Sequence, residues 1–347
     1  MKKTAKLIAI ALAAILAALS VFAFGCKETG ETKTETKYKI VTTIFPEYDW
    51  VRNVLGSEAE NAEIVMLLDN GVDLHSYQPT VQDILDISTC DLFLYVGGES
   101  DKWVADALRE AVNKDMIVVN LMEKLGSAVK VEERVEGMQE DHDHGGEDED
   151  HDEHDEDHDE HDEDHDGEEE YDEHIWLSLR NAQVIMRAIK EAVCSIDPEN
   201  AAAYEKNAET YCAELAALDE AYQNAIGDAK HQTLVFGDRF PFRYLTDDYG
   251  LTYYAAFQGC SAETEASFET VLFLAGKVDE LALPAVMAIE GSDGRIASTV
   301  ISNTAAKNQK VLKLDSMQST TAKNVKEGTT YLSVMEKNLE VIREALN

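Results

Sequence analysis

Residues 38–56, YKIVTTIFPEYDWVRNVLG, place a β-branched strand over residues 39–43 directly before a helix that Gly56 closes. This is the opening of a βα unit. AEIVMLL (62–68) and CDLFLYVG (90–97) repeat the strand signal. Between them PTVQDILDIS (79–88) reads as a helix with Pro79 near its start, and SDKWVADALREAVN (100–113) as another that leads to the strand MIVVNL (116–121). Strands alternating with helices imply a parallel sheet covered on both faces.

The pattern resumes further on. HIWLSLRNAQVIMRAIKEAVCSID (174–197) is helical, and after Pro198 a run rich in Ala, Glu and Leu continues over residues 199–228. Thirty helical residues would span about 45 Å, enough to run from one lobe to another as a stiff connector. The strands TLVFG (233–237), LTYYAAF (251–257), AVMAIE (285–290) and KVLKLD (310–315) then alternate with helices that include residues 265–281 and 329–346. The expected fold is therefore α/β, with two lobes of parallel sheets covered by helices and joined by a long rigid helix. A length of 347 residues accommodates two such lobes, each with its own core.

At the N-terminus, Lys2, Lys3 and Lys6 precede a run from Leu7 to Phe24 that is apolar except for Ser20 and ends at Gly25-Cys26. That is the form of an export signal. An uncleaved membrane anchor is the competing reading, since about 18 apolar residues stand at the lower edge of what spans a bilayer. FAFGC (22–26) is similar to a lipobox, so cleavage before Cys26 and acylation of its thiol are expected, with the polar residues 26–37 as a tether. The chain would then be extracytoplasmic and lipid-anchored to the cell membrane.

The formal charge of −39 speaks against nucleic acid as a partner. Its distribution is more telling, because residues 140–173 hold 23 acidic residues, seven histidines and no Lys or Arg. A segment so charged and so poor in apolar residues cannot bury enough surface to order itself, so a disordered loop is expected there. Its histidines are His142, His144, His151, His154, His158, His161 and His165. The last five step by three, four, three and four, which on a helix would form one stripe. Acid–acid repulsion should melt that helix until a metal neutralises it.

Outside the tract only His75, His174 and His231 remain. His75, in DNGVDLHSYQPT (69–80), follows a strand and so stands at the carboxyl edge of a parallel sheet, where such sheets bind ligands. His174 stands where the acidic loop re-enters the fold. His231 precedes a strand, at the opposite edge, and reads as structural or exposed. Cys90, Cys194, Cys212 and Cys260 show no CxxC spacing, so no thiolate zinc site is indicated; free thiols are expected, with one disulfide possible.

These features resemble the zinc and manganese ABC-importer solute-binding lipoproteins, the ZnuA/TroA type, from residue 38 to the end. The resemblance rests on TTIFPEYDWVRNVLG (42–56), on HSYQPT (75–80) beside a His-x-Tyr-Glu-Pro signature, on DEHIWLSLRNA (172–182) beside an Asp-x-His-x-Trp-Leu signature, and on the acidic, His-rich insertion between them. It implies that His75 and His174 are the first two metal ligands and that the second lobe supplies two more. In FGDRFPFRYLTDDYGL (236–251) Arg239 falls at the third ligand position, and arginine cannot bind a metal cation. Asp238 beside it is the expected substitute, against a reading as an ion pair or cap with Arg239 or Arg243; Glu263 and Glu265 compete. Asp315 matches the fourth ligand, against a reading as a turn cap.

Two imidazoles with two carboxylates suit Zn2+ but also admit Mn2+ or Fe2+, and the imidazole-rich tract shifts the preference to zinc as cargo. The expected partition is residues 1–25 signal peptide, 26–37 tether, 38–139 N-terminal lobe, 140–173 acidic loop, 174–198 end of that lobe, 199–228 connecting helix and 229–347 C-terminal lobe. The expected function is capture of the metal and delivery to an ABC permease and its ATPase, by a monomer. A surface adhesin or zinc buffer without transport is the alternative. HExxH, GxSxG and Walker A sequences are absent, so no enzyme is expected.

Overall fold

The computed structural model describes residues 37–139, 170–261 and 265–347. Cys26, the seven tract histidines and Glu263 therefore lie outside the described residues. Among the described residues, no helix is long and apolar enough to cross a membrane.

The first lobe opens with β1 (Tyr38–Thr42), α1 (Phe45–Leu55), β2 (Ala62–Met66), α2 (Val81–Thr89), β3 (Leu92–Tyr95), α3 (Val104–Arg109), β4 (Ile117–Asn120) and α4 (Leu121–Leu125). Its four strands are all parallel, in the order β2-β1-β3-β4. Then come α5 (Leu179–Ile196), the long α6 (Ala201–Gly227), β5 (Thr233–Phe240), α7 (Arg243–Tyr249), β6 (Thr252–Gln258), α8 (Phe268–Glu280), β7 (Ala285–Ile289), α9 (Arg295–Asn303), β8 (Lys310–Leu314), α10 (Ala322–Lys326) and α11 (Tyr331–Ala345). The second sheet, again all parallel, runs β6-β5-β7-β8. In both sheets, then, the loops after the strands leave from one edge. All eight expected strands are present, and the long helix joins the two lobes.

Local chemistry explains several boundaries. Thr80 caps α2 reciprocally with Asp83, Ser178 caps α5 through the Asn181 amide, and Thr330 with Ser333 does the same for α11. The expected helix over residues 100–113 shrinks to the six residues of α3, with Ser100 bonded to His75 and Glu173 and the Val112 and Asn113 amides bonded to the Ser88 carbonyl. In β5 the pairing with β6 shifts between Phe236 and Arg239, a bulge that re-aims Asp238 and Arg239.

One apolar core runs through both lobes, taking in Ile40 and Phe93 from the first sheet, Leu215 and Tyr222 from α6, and Phe236 and Leu339 from the second lobe. A smaller core, with Val235, Leu274 and Val300, fills the other face of the second sheet beneath α8 and α9. The tyrosines of α6 tie it to both lobes: Tyr211 donates to Asp49 Oδ2 (3.2 Å) in α1, and Tyr222 donates to the Met335 carbonyl (2.6 Å) in α11. The lobes also meet directly, where the Tyr331 amide donates to Asp49 Oδ2 (3.1 Å) and Trp50 packs edge-on against Tyr331.

At the start of α1, Glu47 Oε2 accepts from the Thr43 and Ile44 amides and the Thr43 hydroxyl, while its Oε1 is buried without a partner. Burial, helped by the charge of Asp101, pushes the Glu47 carboxyl up to about 8. Between about pH 4.5 and 8 the folded protein thus holds a proton that the unfolded chain has released, so stability falls as pH rises through that window. One such proton contributes at most about 1.4 kcal/mol per pH unit. Glu47→Gln is expected to shrink this slope in urea denaturation at several pH values; an unchanged slope would show that Glu47 is not the group responsible.

Candidate metal centre

His75 and His174 come from opposite ends of the first lobe's sequence and meet in the cleft between the sheets. After β2 the chain turns through a short 3-10 segment, Leu74–Ser76, whose first free amide is capped when His75 N–H donates to Asp73 Oδ1 (3.0 Å). His174 immediately precedes another 3-10 turn, Ile175–Leu177, and is wholly buried. The two Nε2 atoms stand 3.1 Å apart.

The other ring nitrogens are already committed. His174 Nδ1 lies 3.0 Å from Asp172 Oδ1, which also accepts from the His174 amide. His75 Nδ1 lies 2.8 Å from the Ser100 hydroxyl and 3.4 Å from Glu173 Oε2. With the Nδ1 protons on the side of the acids, two Nε2 lone pairs face each other at a spacing that suits a shared metal ion. Zinc–nitrogen bonds of about 2.0–2.1 Å in a tetrahedron put ligand nitrogens ~3.3 Å apart, close to what is seen here. A carboxylate behind each imidazole is the usual way to fix the tautomer and raise the ligand's basicity.

The charges around the pair are strongly negative. Burial alone would depress His174, but Asp172, followed by Asp73 and Glu173, holds its imidazolium above the ordinary histidine range. Burial would raise Glu173, yet hydrogen bonds from His75 and Ser100 hold its carboxyl below the usual range. Gly98, at φ +83°, makes room for that carboxylate, since a Cβ there would meet Glu173 Oε1 at 2.3 Å. Glu132, opposite, is pushed up by burial. A cavity of about 300 Å³ lined by His75, Cys260, Glu132, Glu170 and Glu173 opens onto the site.

The sequence-based expectations fare unevenly. His75 and His174 are brought together. Asp238 and Asp315 do not join them: among the described residues, the group whose ligand atoms all lie within 4.8 Å of one another is His75, His174 and Cys260. Asp238 instead accepts from the Arg239 amide (3.0 Å) and the Ile289 amide (3.4 Å), and Asp315 accepts from the Met317 amide (2.8 Å) as a turn cap. Burial, with Glu290 close by, pushes the Asp315 carboxyl up to about 6. Arg239 forms an ion pair with Asp73 across the cleft. Glu265 is exposed, and its carbonyl accepts from the Gln139 side chain on another face. His231 is half-buried just before β5, at the far edge of its sheet, with its amide on the Leu346 carbonyl.

Two further corrections follow. The absence of CxxC spacing argued against any thiol at the site, but distance along the chain does not constrain a cysteine that meets histidines from the other lobe. Cys260, like Cys90, Cys194 and Cys212, is a free thiol. Residues 170–173, grouped by composition with the acidic tract, are built into the fold: Tyr171 pairs with Val131, and Asp172 and Glu173 are buried behind the histidines. Acid directly before His174 in DEH was the signal available.

The profile of the family described as "Zinc-uptake complex component A periplasmic" matches residues 40–345. The zinc-binding protein AdcA of Streptococcus pyogenes serotype M1 is 28% identical over 334 residues, 93% of this chain and 58% of that protein. This chain thus spans little more than half the length of that relative. The high-affinity zinc uptake system protein ZnuA of Bacillus subtilis is 27% identical over 310 residues, covering 89% of this chain and 88% of its own length. Among solved structures, the Zn(II)-bound ZnuA-like domain of Streptococcus pneumoniae AdcA superposes with a TM-score of 0.65 at 25% identity, covering 89% of this chain and 98% of that one.

Proposed function

The chain belongs to the family of zinc-uptake complex component A, and from that premise we propose that it is the extracytoplasmic solute-binding component of an ABC importer that captures Zn2+ and hands it to a permease driven by an ATPase. The observation that carries this reading is the pair of facing Nε2 atoms at 3.1 Å, each imidazole backed by a buried acid. A hydrated divalent ion entering the acidic cavity exchanges water for these two nitrogens, and no bond in the cargo is made or broken. Asp73, Glu132, Asp172 and Glu173 supply the field that draws a cation inward. The names of the AdcA and ZnuA relatives support zinc as that cation.

The remaining parts of the reading extend it. Cys26 carries the lipid that holds the protein at the membrane, residues 26–37 act as tether, and the lobes of residues 38–139 with 174–198 and of 229–347 work as a monomer about the helix of residues 199–228. Asp238 lines a cavity together with Asp73 and Arg239, while Asp315 serves as a turn cap. The tract histidines raise the local zinc concentration beside the cavity, whose wall includes Glu170, the first described residue after them.

Metal analysis and competition titration of the chain lacking residues 1–26, with and without residues 140–169, separate cleft from tract. Tight one-to-one zinc binding is expected to survive the deletion, with only weaker sites lost. Disappearance of all tight binding would overturn the cleft assignment.

A further inference from the structure

We propose that Cys260 is the third donor of the cleft, so that the cargo is held by two imidazoles and one thiolate; this rests on the metal-capture reading above. Its Sγ and the two histidine nitrogens form the compact group of potential ligands, all within 4.8 Å of one another. Zinc bonds of about 2.3 Å to sulfur and 2.0–2.1 Å to nitrogen call for S···N separations of ~3.6 Å, so from within 4.8 Å closure around an ion takes at most about 1.2 Å of movement.

The backbone is arranged for this approach. Gln258 ends β6 in register with Phe240, and Gly259–Cys260 turn from the sheet's carboxyl edge into the cleft. A Cβ on residue 259 would stand 2.9 Å from the Phe240 carbonyl and 3.1 Å from His174 Cε1, so glycine lets the loop lie against the imidazole. The Cys260 amide donates to Glu132 Oε1 (3.3 Å), which pins the loop from the first lobe. Cys260 also lines the same cavity as His75.

The neighbouring strand shows why a donor is drawn from here. Arg239, paired in register with Phe257, cannot ligate, and its guanidinium is spent on Asp73. A fixed cation therefore occupies the side of the cleft where a ligand is expected, and the sulfur stands one strand over. When the ion binds, the thiol proton leaves to solvent and a sulfur–metal bond replaces a water. A thiolate also sets preference, since soft sulfur favours zinc and its tetrahedral relatives over manganese, which oxygen donors suit.

Cobalt(II) added to the full chain provides the test, because a thiolate ligand gives an intense sulfur-to-cobalt charge-transfer band in the near ultraviolet and the histidine tract does not. The wild type is expected to show the band at one equivalent and Cys260→Ser to lose it, with zinc affinity at least about tenfold weaker. Cys212→Ser, a thiol on α6 remote in role, should keep it. Tight cobalt binding without the band in the wild type would remove Cys260 as a ligand while leaving metal capture intact, and a band that persists in Cys260→Ser would do the same. Absence of any tight binding would overturn both readings. Should Cys260→Ser not fold, zinc-edge X-ray absorption of the wild type decides, through the presence or absence of a sulfur shell at about 2.3 Å.

Discussion

Replacing His174 by alanine is expected to weaken zinc binding by more than the roughly 10–100-fold that loss of an outer-shell partner costs a metal site. The side chain is fully buried, its Nε2 faces His75 at 3.1 Å and its Nδ1 is held by Asp172, so nothing exposed can swing in as a substitute. The measurement belongs in the chain without residues 140–169, where the tract cannot mask the loss, using a chromophoric chelator as competitor. Affinity equal to that of the parent would remove His174 from the site. The metal-free variant should also lose stability, because Asp172 loses the imidazole and keeps only the residue-174 amide on Oδ1, and a hydrogen bond to a charged group contributes about 1.5–3 kcal/mol.

Trp176→Ala is the second large effect, and it falls on folding. Trp176 is 1% exposed, and its Nε1 donates to the Ser316 carbonyl (2.8 Å) just beyond β8. The Tyr331 hydroxyl in turn donates to the Trp176 carbonyl (2.7 Å), and the indole packs 5.4 Å from the His174 ring. Truncation should cost about 3–5 kcal/mol for the lost burial and cavity, plus the penalty for an orphaned Ser316 carbonyl. Urea denaturation of the metal-free protein would read this as a lower midpoint. A loss under about 1 kcal/mol would mean that the lobes do not depend on this contact.

The fold was legible in the sequence because βα alternation repeats: each strand is a short β-branched or apolar run, and each long helix carries its apolar residues at helical spacing. Less visible were α4, α7, α9 and α10, of five to nine residues each, too short for periodicity to separate from loop. At the site, His75 and His174 stood out because histidine is scarce outside the tract. The acids behind the two histidines were harder to single out, since composition alone merges Asp172 and Glu173 with the charged residues before them. Cys260 was hidden for another reason. A lone thiol after a strand becomes informative only once the second sheet is laid against the first, and choosing Asp238 as the neighbour of Arg239 could not show its carboxylate turned onto two backbone amides.

The core that runs through both lobes limits how far they can part. Tyr331, Trp50, Asp49 and the middle of α6 are fastened together across the seam, so prising the lobes wide apart would expose apolar surface at ~25 cal/mol per Å². Such a hinge is welded rather than oiled. On the proposed capture role, release of the ion is expected to begin at the turns carrying His75 and Cys260, which hydrogen-bond through the Asp73 side chain and Glu132.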